Sequence, residues 1–228
     1  MTEENTAEVK KGVVVEFDFA VANGAELLYK TTEALLKEAE IPFSKRIEAQ
    51  YLAGGNSQGG LDEYFKVVKT KKTAQRAAKD LAVAFAEALT AQFPGVVTDD
   101  FRAFVRKLID KGVKVVISTR ADLEVVKDAF QEFLDEPNFA LYQETSMAYG
   151  SIKWDAWRRA AVSNHLRSCT ALAVPGSGFS VKGALLAGMG SLAVINPHVE
   201  YQDFGGADEV VERLDASAAD KAIRILKV

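Results

Sequence analysis

The sequence predicts an α/β fold: a parallel sheet covered by helices on both faces, with an all-helical insertion after its first strand. Three observations predict it. Short, continuous apolar runs, first Val13–Phe17 and then Val113–Ile117, have the length and β-branched content of strands buried on both faces. From Phe93 onward such runs alternate with helical stripes, the pattern of strand–helix–strand units. Between Ala25 and Phe93 the apolar residues keep helical spacing and no strand signal occurs.

Each element follows from its residues. Val13-Val14-Val15-Glu16-Phe17 is the first strand, and Asn23-Gly24 marks a turn after it. Leu27, Leu28, Leu35, Leu36 and Ala39 share one helical face, which Ile41-Pro42 brings to an end. Gly54–Gly60 reads as a loop. Leu61, Tyr64, Phe65 and Val68 mark a second helix, and Ala74, Ala77, Leu81, Ala84, Phe85, Ala88 and Leu89 a third. Residues 22–92 are therefore expected to form a small helical domain with its own core, hinged near Ala22–Ala25 and Phe93–Pro94. Residues 11–21 and 93–228 form the α/β domain. There, Phe101, Phe104, Val105, Leu108 and Ile109 make a helix that Gly112 ends before the strand Val113–Ile117. Leu123, Val126, Phe130 and Phe133 give the next helix, then come a short strand Phe139–Tyr142 and a helix carrying Trp154, Trp157, Ala160 and Ala161. Thr170–Val174 is a strand, Val181, Ala184, Leu185 and Gly188 a helix, and Leu192–Ile195 a strand.

Composition narrows the function. The 228 residues are 48% hydrophobic and 26% charged, as in ordinary globular proteins and unlike disordered, collagenous or disulfide-rich chains. A net charge of −4 disfavours a dedicated nucleic-acid binder, which would need a basic face. Cys169 is the only cysteine, so no intrachain disulfide forms, which suits a reducing compartment. Met1–Lys11 is polar, without an apolar signal core, and no run reaches the roughly 20 apolar residues of a membrane span. A cytoplasmic location with no membrane partner is expected. Two histidines, His165 and His198, are too few for a three-histidine zinc site, so a metal would have oxygen ligands, as magnesium does.

In parallel α/β sheets, ligands sit beyond the carboxyl ends of the strands. Those ends carry Glu16-Phe17-Asp18, Ser118-Thr119-Arg120 and Pro175-Gly176-Ser177. At these places the chain resembles the haloacid dehalogenase (HAD) superfamily, in the phosphoglycolate phosphatase and β-phosphoglucomutase-like branch that carries a helical cap. The resemblance runs from about Lys11 to the C-terminus. It rests on the strand ending Glu16-Phe17-Asp18, where the family has Asp-Xaa-Asp, and on Val115-Val116-Ile117-Ser118, where it has a strand ending in Ser or Thr. Phe93-Pro94-Gly95-Val96 is similar to the return from the cap, and Ala187-Gly188-Met189 to the end of the fourth motif. The resemblance implies a Rossmann-like, HAD-like core with an inserted all-helical cap domain. It also implies phosphatase-type chemistry: a nucleophile at position 16, an acid/base at Asp18, phosphate binding at Ser118, and a magnesium-ligating carboxylate in the fourth motif.

The departures are concentrated at the chemistry. Glu16 stands at the nucleophile position, where one extra methylene moves the carboxylate by about 1.5 Å. Gly176 stands where the family has its metal-binding Asp, and Ala156 through Val199 contains no acidic residue to replace it. The family lysine falls at Ser151, with Lys153 two residues on, and Phe19 adds bulk where Gly is usual. Each candidate has a structural reading beside the functional one. Glu16 is a displaced nucleophile or a strand-end residue paired with Lys153 or Lys182. Asp18 is an acid/base or a local cap. Ser118 and Thr119 bind phosphate or cap the helix carrying Leu123. Gly176-Ser177-Gly178 is an anion cradle or only a turn. Lys66, Lys69, Lys71 and Lys72 face a substrate or are solvated, and Cys169 reads as a buried small hydrophobe.

Three functions are consistent with these residues. One is a HAD-like protein without standard magnesium-dependent phosphatase activity that retains an anion pocket built from Ser118, Thr119, Lys153, Gly176 and Ser177. Another is an altered phosphomonoester hydrolase using Glu16 and Asp18, which would also be the magnesium ligands. The third is a structural or partner-binding protein with a closed site. No cofactor is expected unless the enzyme reading holds, in which case magnesium is. The expected ligand is a small phosphorylated molecule or an inorganic anion.

Overall fold

A computed structural model describes residues 10–52, 57–93, 95–145 and 154–228. β1 (Gly12–Glu16) runs directly into a helical turn, α1 (Phe17–Ala20), and then into α2 (Gly24–Glu38). A short α3 (Lys45–Ile47), a π-helical turn (Glu48–Leu52), α4 (Ser57–Val67) and the long α5 (Ala74–Gln92) complete the helical insertion. α6 (Asp99–Asp110), β2 (Lys114–Thr119), α7 (Leu123–Ala129) and β3 (Phe139–Gln143) follow. The chain closes with α8 (Trp154–Ser163), β4 (Ala171–Val174), α9 (Gly178–Leu186), β5 (Gly190–Val194), β6 (Glu209–Val211) and α10 (Ala216–Leu226).

The six strands form a parallel sheet in the order β3-β2-β1-β4-β5-β6. β1 is central, with Val15 opposite Ile117 of β2 and Val174 of β4. Its alternation explains why Val13, Val14 and Val15 are all apolar. Val13 and Val15 face one cluster, with Phe101, Phe104 and Ala219, while Val14 faces another, with Trp157, Ala160 and Ala184. The strand order reverses between β1 and β4, so the crevice of this architecture opens beside Glu16 and Pro175.

The β1 strand ends one residue sooner than the sequence pattern gives. Phe17 already belongs to α1, its carbonyl accepting from Val21 and Ala22. Its ring is buried in an aromatic cluster, 5.2 Å from Phe93 and 5.7 Å from both Phe101 and Phe130. Gly54–Gly60 is not wholly loop, since α4 starts at Ser57, while residues 53–56 lie outside the described set. β6 and α10 have no counterpart in the sequence reading. β6 is three residues long and only partly buried, and α10 turns a face of small residues (Ala218, Ala219, Ala222) inward.

The described residues between α1 and α6 are helical or connecting, with no strand. Their buried side chains, Leu28, Leu36, Leu61, Phe65, Leu81, Phe85 and Leu89 among them, are continuous with the cluster on one face of the sheet rather than a separate core. No helix among the described residues is long and apolar enough to cross a membrane.

Glu48, in the π-helical turn, lies within charge range of Tyr29 on α2 and Tyr201 in the segment after β5. Burial, opposed by Lys45, pushes its carboxyl up to about 7. A raised carboxyl binds its proton more tightly when folded. Its contribution is therefore complete below the unfolded value of 4.5 and is lost as pH rises through about 7. With solvent screening, Glu48→Gln is expected to remove about 1 kcal/mol of pH-dependent stability between pH 5 and 8. Thermal melts across that range check it, and an unchanged slope in the variant would remove Glu48 as its source.

Candidate functional site

The ends of β1, β2 and β4 bring Glu16, Asp18, Ser118, Thr119, Gly176 and Ser177 together, and all six are buried. Glu16 is 0% exposed and pairs in register with Ser118. Its Oε2 accepts the N–H of Gly176 at 2.9 Å, so the carboxylate ties β1 to the turn after β4. Of the two lysines considered as partners for Glu16, Lys182 lies 3.4 Å from Asp203, and Lys153, like Ser151, falls outside the described residues.

Gly176 is held against the backbone of α1. A Cβ there would lie 2.5 Å from Ala20 N and Phe19 O, and it would also meet Phe19 C. The lost side chain and the close approach of α1 are one arrangement, because only glycine fits this spacing.

Asp18 is fixed from both sides of its carboxylate. Thr119 Oγ1 donates to Oδ1 at 2.6 Å, the Arg120 N–H lies 3.3 Å from Oδ1 and 3.0 Å from Oδ2, and Arg120 Nη1 donates to Oδ2 at 3.2 Å. The side chains of this ion pair are 8% and 2% exposed. Burial pushes the Asp18 carboxyl up, while the Arg120 guanidinium and then the Thr119 hydroxyl pull it down; burial is the larger effect. All four contacts come from donors, an arrangement that suits the ionised carboxylate. Thr119 Oγ1 meanwhile accepts the Ala121 N–H at 3.0 Å, which leaves its own proton for Asp18.

The structural roles read for Ser118 and Thr119 are corrected in one respect: Asp122, not either of them, caps α7, accepting the Glu124 N–H at 2.9 Å. Ser118 Oγ is buried with no hydrogen-bond partner among the described residues. Ser177 caps α9 by accepting the Ser180 N–H at 3.2 Å. The Gly178 N–H is also taken, by Gln202 Oε1 at 2.9 Å. The segment carrying Gln202 packs so closely that a Cβ on Gly178 would collide with the Asp203 carbonyl. Phe19 is 4% exposed and meets Phe85 of α5 at 5.8 Å between ring centroids, which joins this region to the cap.

Two residues that shape the site carried no role in the sequence reading. Arg120 was visible only as the neighbour of Thr119. Gln202 gave no signal at all, being 24 residues from the amide it accepts. Elsewhere, Cys169 is exposed rather than buried, because a 3-10 turn, Ser168–Thr170, precedes β4 and keeps it out of the sheet. The lysines at 66, 69, 71 and 72 are exposed, and Lys66 pairs with Asp62.

These residues do not fit magnesium. A magnesium site needs near-octahedral oxygen ligands at about 2.1 Å, with one or two carboxylates free to bind. Here both Asp18 oxygens are already filled by donors, one Glu16 oxygen holds a backbone amide, and position 176 offers neither a carboxylate nor room for one. Among the described residues no group of three or more His, Cys, Asp or Glu side chains converges to hold a metal ion.

The strand order, the crevice beside β1 and the helices inserted after α1 define the HAD fold with a helical cap. Comparison with solved structures gives the same result. The chain is similar to β-phosphoglucomutase from Clostridium difficile, with a TM-score of 0.67 at 11% identity over 95% of this chain and 100% of that one. It is similar to CbbY from Rhodobacter sphaeroides in complex with phosphate, with a TM-score of 0.63 at 14% identity over 93% and 100% of the two chains. A hydrolase from Pseudomonas syringae gives 0.64 at 18% identity over 94% and 99%. No protein-family model matches the sequence, and no curated protein matches it.

Proposed function

We propose that this HAD-fold protein lacks standard magnesium-dependent phosphatase activity and that its strand-end crevice serves as a packed joint in a structural or partner-binding protein. One observation carries the reading: the carboxylates of Glu16 and Asp18 and the amides of the turn after β4 are engaged with protein partners. The Gly176 and Gly178 amides have Glu16 and Gln202 as acceptors, and Asp18 is surrounded by Thr119 and Arg120. A nucleophile and an acid/base must instead be free to meet a substrate.

The test is a screen of phosphomonoesters with and without magnesium. Turnover below the ordinary enzymatic range of about 1–10³ per second is expected throughout. Magnesium-dependent turnover within that range, abolished by Glu16→Ala, would instead establish the altered hydrolase using Glu16 and Asp18.

A second reading, a retained anion pocket, is favoured by Ser118 Oγ, which is buried and without a partner among the described residues. A bound phosphate or small phosphorylated molecule would supply the missing acceptor. Calorimetric titration of phosphate into the protein and into Ser118→Ala checks this. Saturable binding lost in the variant supports the pocket, and no binding to either removes it. The division into a core of residues 11–21 and 93–228 and a cap of 22–92 is proposed on the same basis as the fold, and a cytoplasmic location on the single cysteine, which suits a reducing compartment.

A further inference from the structure

We propose that Arg120 is a built-in counter-ion that replaces a divalent metal at this crevice and excludes one from it. The inference rests on the reading of the crevice as non-catalytic and adds to it the residue responsible. Three observations support it.

The first is occupancy. A carboxylate has about four lone-pair positions. On Asp18 each oxygen receives two donors: Thr119 Oγ1 and the Arg120 amide on Oδ1, the same amide and Arg120 Nη1 on Oδ2. A cation cannot ligate the Asp18 carboxylate without displacing the guanidinium.

The second is charge. Arg120 places a full positive charge 3.2 Å from Asp18, with both side chains nearly enclosed. In that setting charges are screened little, and a divalent ion at the same oxygens would be strongly repelled.

The third is backbone placement. The Arg120 amide and side chain both reach Asp18, so the end of β2 is fastened to α1 by one residue. α1 is the segment that closes over Gly176. The ion pair and the loss of space for a third carboxylate therefore belong to the same packing arrangement.

Manganese(II) is the probe, since it takes magnesium-type oxygen sites and broadens nearby NMR signals. Titrated into the parent protein, it is expected to leave the Gly176 and Arg120 amide signals sharp, with no specific binding tighter than about 1 mM. In Arg120→Met, with the guanidinium gone and Asp18 and Glu16 kept, manganese affinity is expected to rise by roughly tenfold or more, with selective broadening of the Gly176 amide. Arg120→Lys keeps a cation and is expected to behave like the parent.

Selective broadening in the parent protein at submillimolar manganese overturns the proposal. So does a folded Arg120→Met that binds no more manganese than the parent. Should Arg120→Met fold poorly, recovery of its melting temperature by manganese supports the proposal, and no recovery counts against it. The non-catalytic reading fails separately: metal-independent turnover would refute that reading while leaving Arg120 as the excluding residue, and metal binding without turnover would do the reverse.

Discussion

Replacing Gly176 with alanine is expected to destabilise the protein by about 3 kcal/mol, and replacing it with aspartate by more. The new Cβ would lie 2.5 Å from two backbone atoms of α1, Ala20 N and Phe19 O. Backbone cannot yield as the tip of a flexible side chain does. α1 would have to move, taking with it Phe17 from its aromatic cluster and Phe19 from Phe85. Urea unfolding of the variants measures the effect directly. A Gly176→Asp protein with the parental midpoint would mean that α1 is free to shift, and that a metal-binding carboxylate could be restored by one substitution.

Asp18→Ala is expected to cost about 3–5 kcal/mol, because it removes the carboxylate that lies 3.2 Å from the nearly enclosed Arg120 guanidinium. The loss of a catalytic acid normally lowers activity and leaves stability unchanged or improved. Asp18 is expected to show the structural pattern instead. Removing both partners, in Asp18→Ala with Arg120→Met, should recover much of the loss, since the buried charge that lost this carboxylate is then gone as well. A double-mutant cycle with no coupling between the two positions would show that the pair, although close, does not hold the crevice together.

The architecture was legible where a local pattern reports a global environment. Val13, Val14 and Val15 are all apolar because β1 has helices on both faces, and that pattern alone places Glu16 and Asp18 at the end of a buried strand. α6 starts at Asp99, where the Thr98 side chain accepts the Phe101 N–H at 3.2 Å, a cap that the sequence reading did not draw on. β6 was missed because three partly buried residues at a sheet edge carry no periodicity. The site was legible in position and not in chemistry. The spacing of Glu16, Ser118 and Gly176 brought the right strand ends together. What each carboxylate does is set by partners 102 and 160 residues away, Arg120 and Gly176, which no local pattern encodes. The tight approach of α1 to Gly176 is a backbone–backbone distance, visible in sequence only as a missing side chain.

The apolar cluster that runs unbroken from one face of the sheet, through Phe19 and Phe85, into α2, α4 and α5 has a consequence for motion. A lid that swings needs a weak seam, a surface that water can enter at low cost. Here opening would wet Phe19, Phe85 and their neighbours together, at a cost of the same kind as unfolding. The amides of α5 are therefore expected to exchange with solvent at the rate set by global unfolding, in step with those of β1, and the molecule to melt as a single cooperative body.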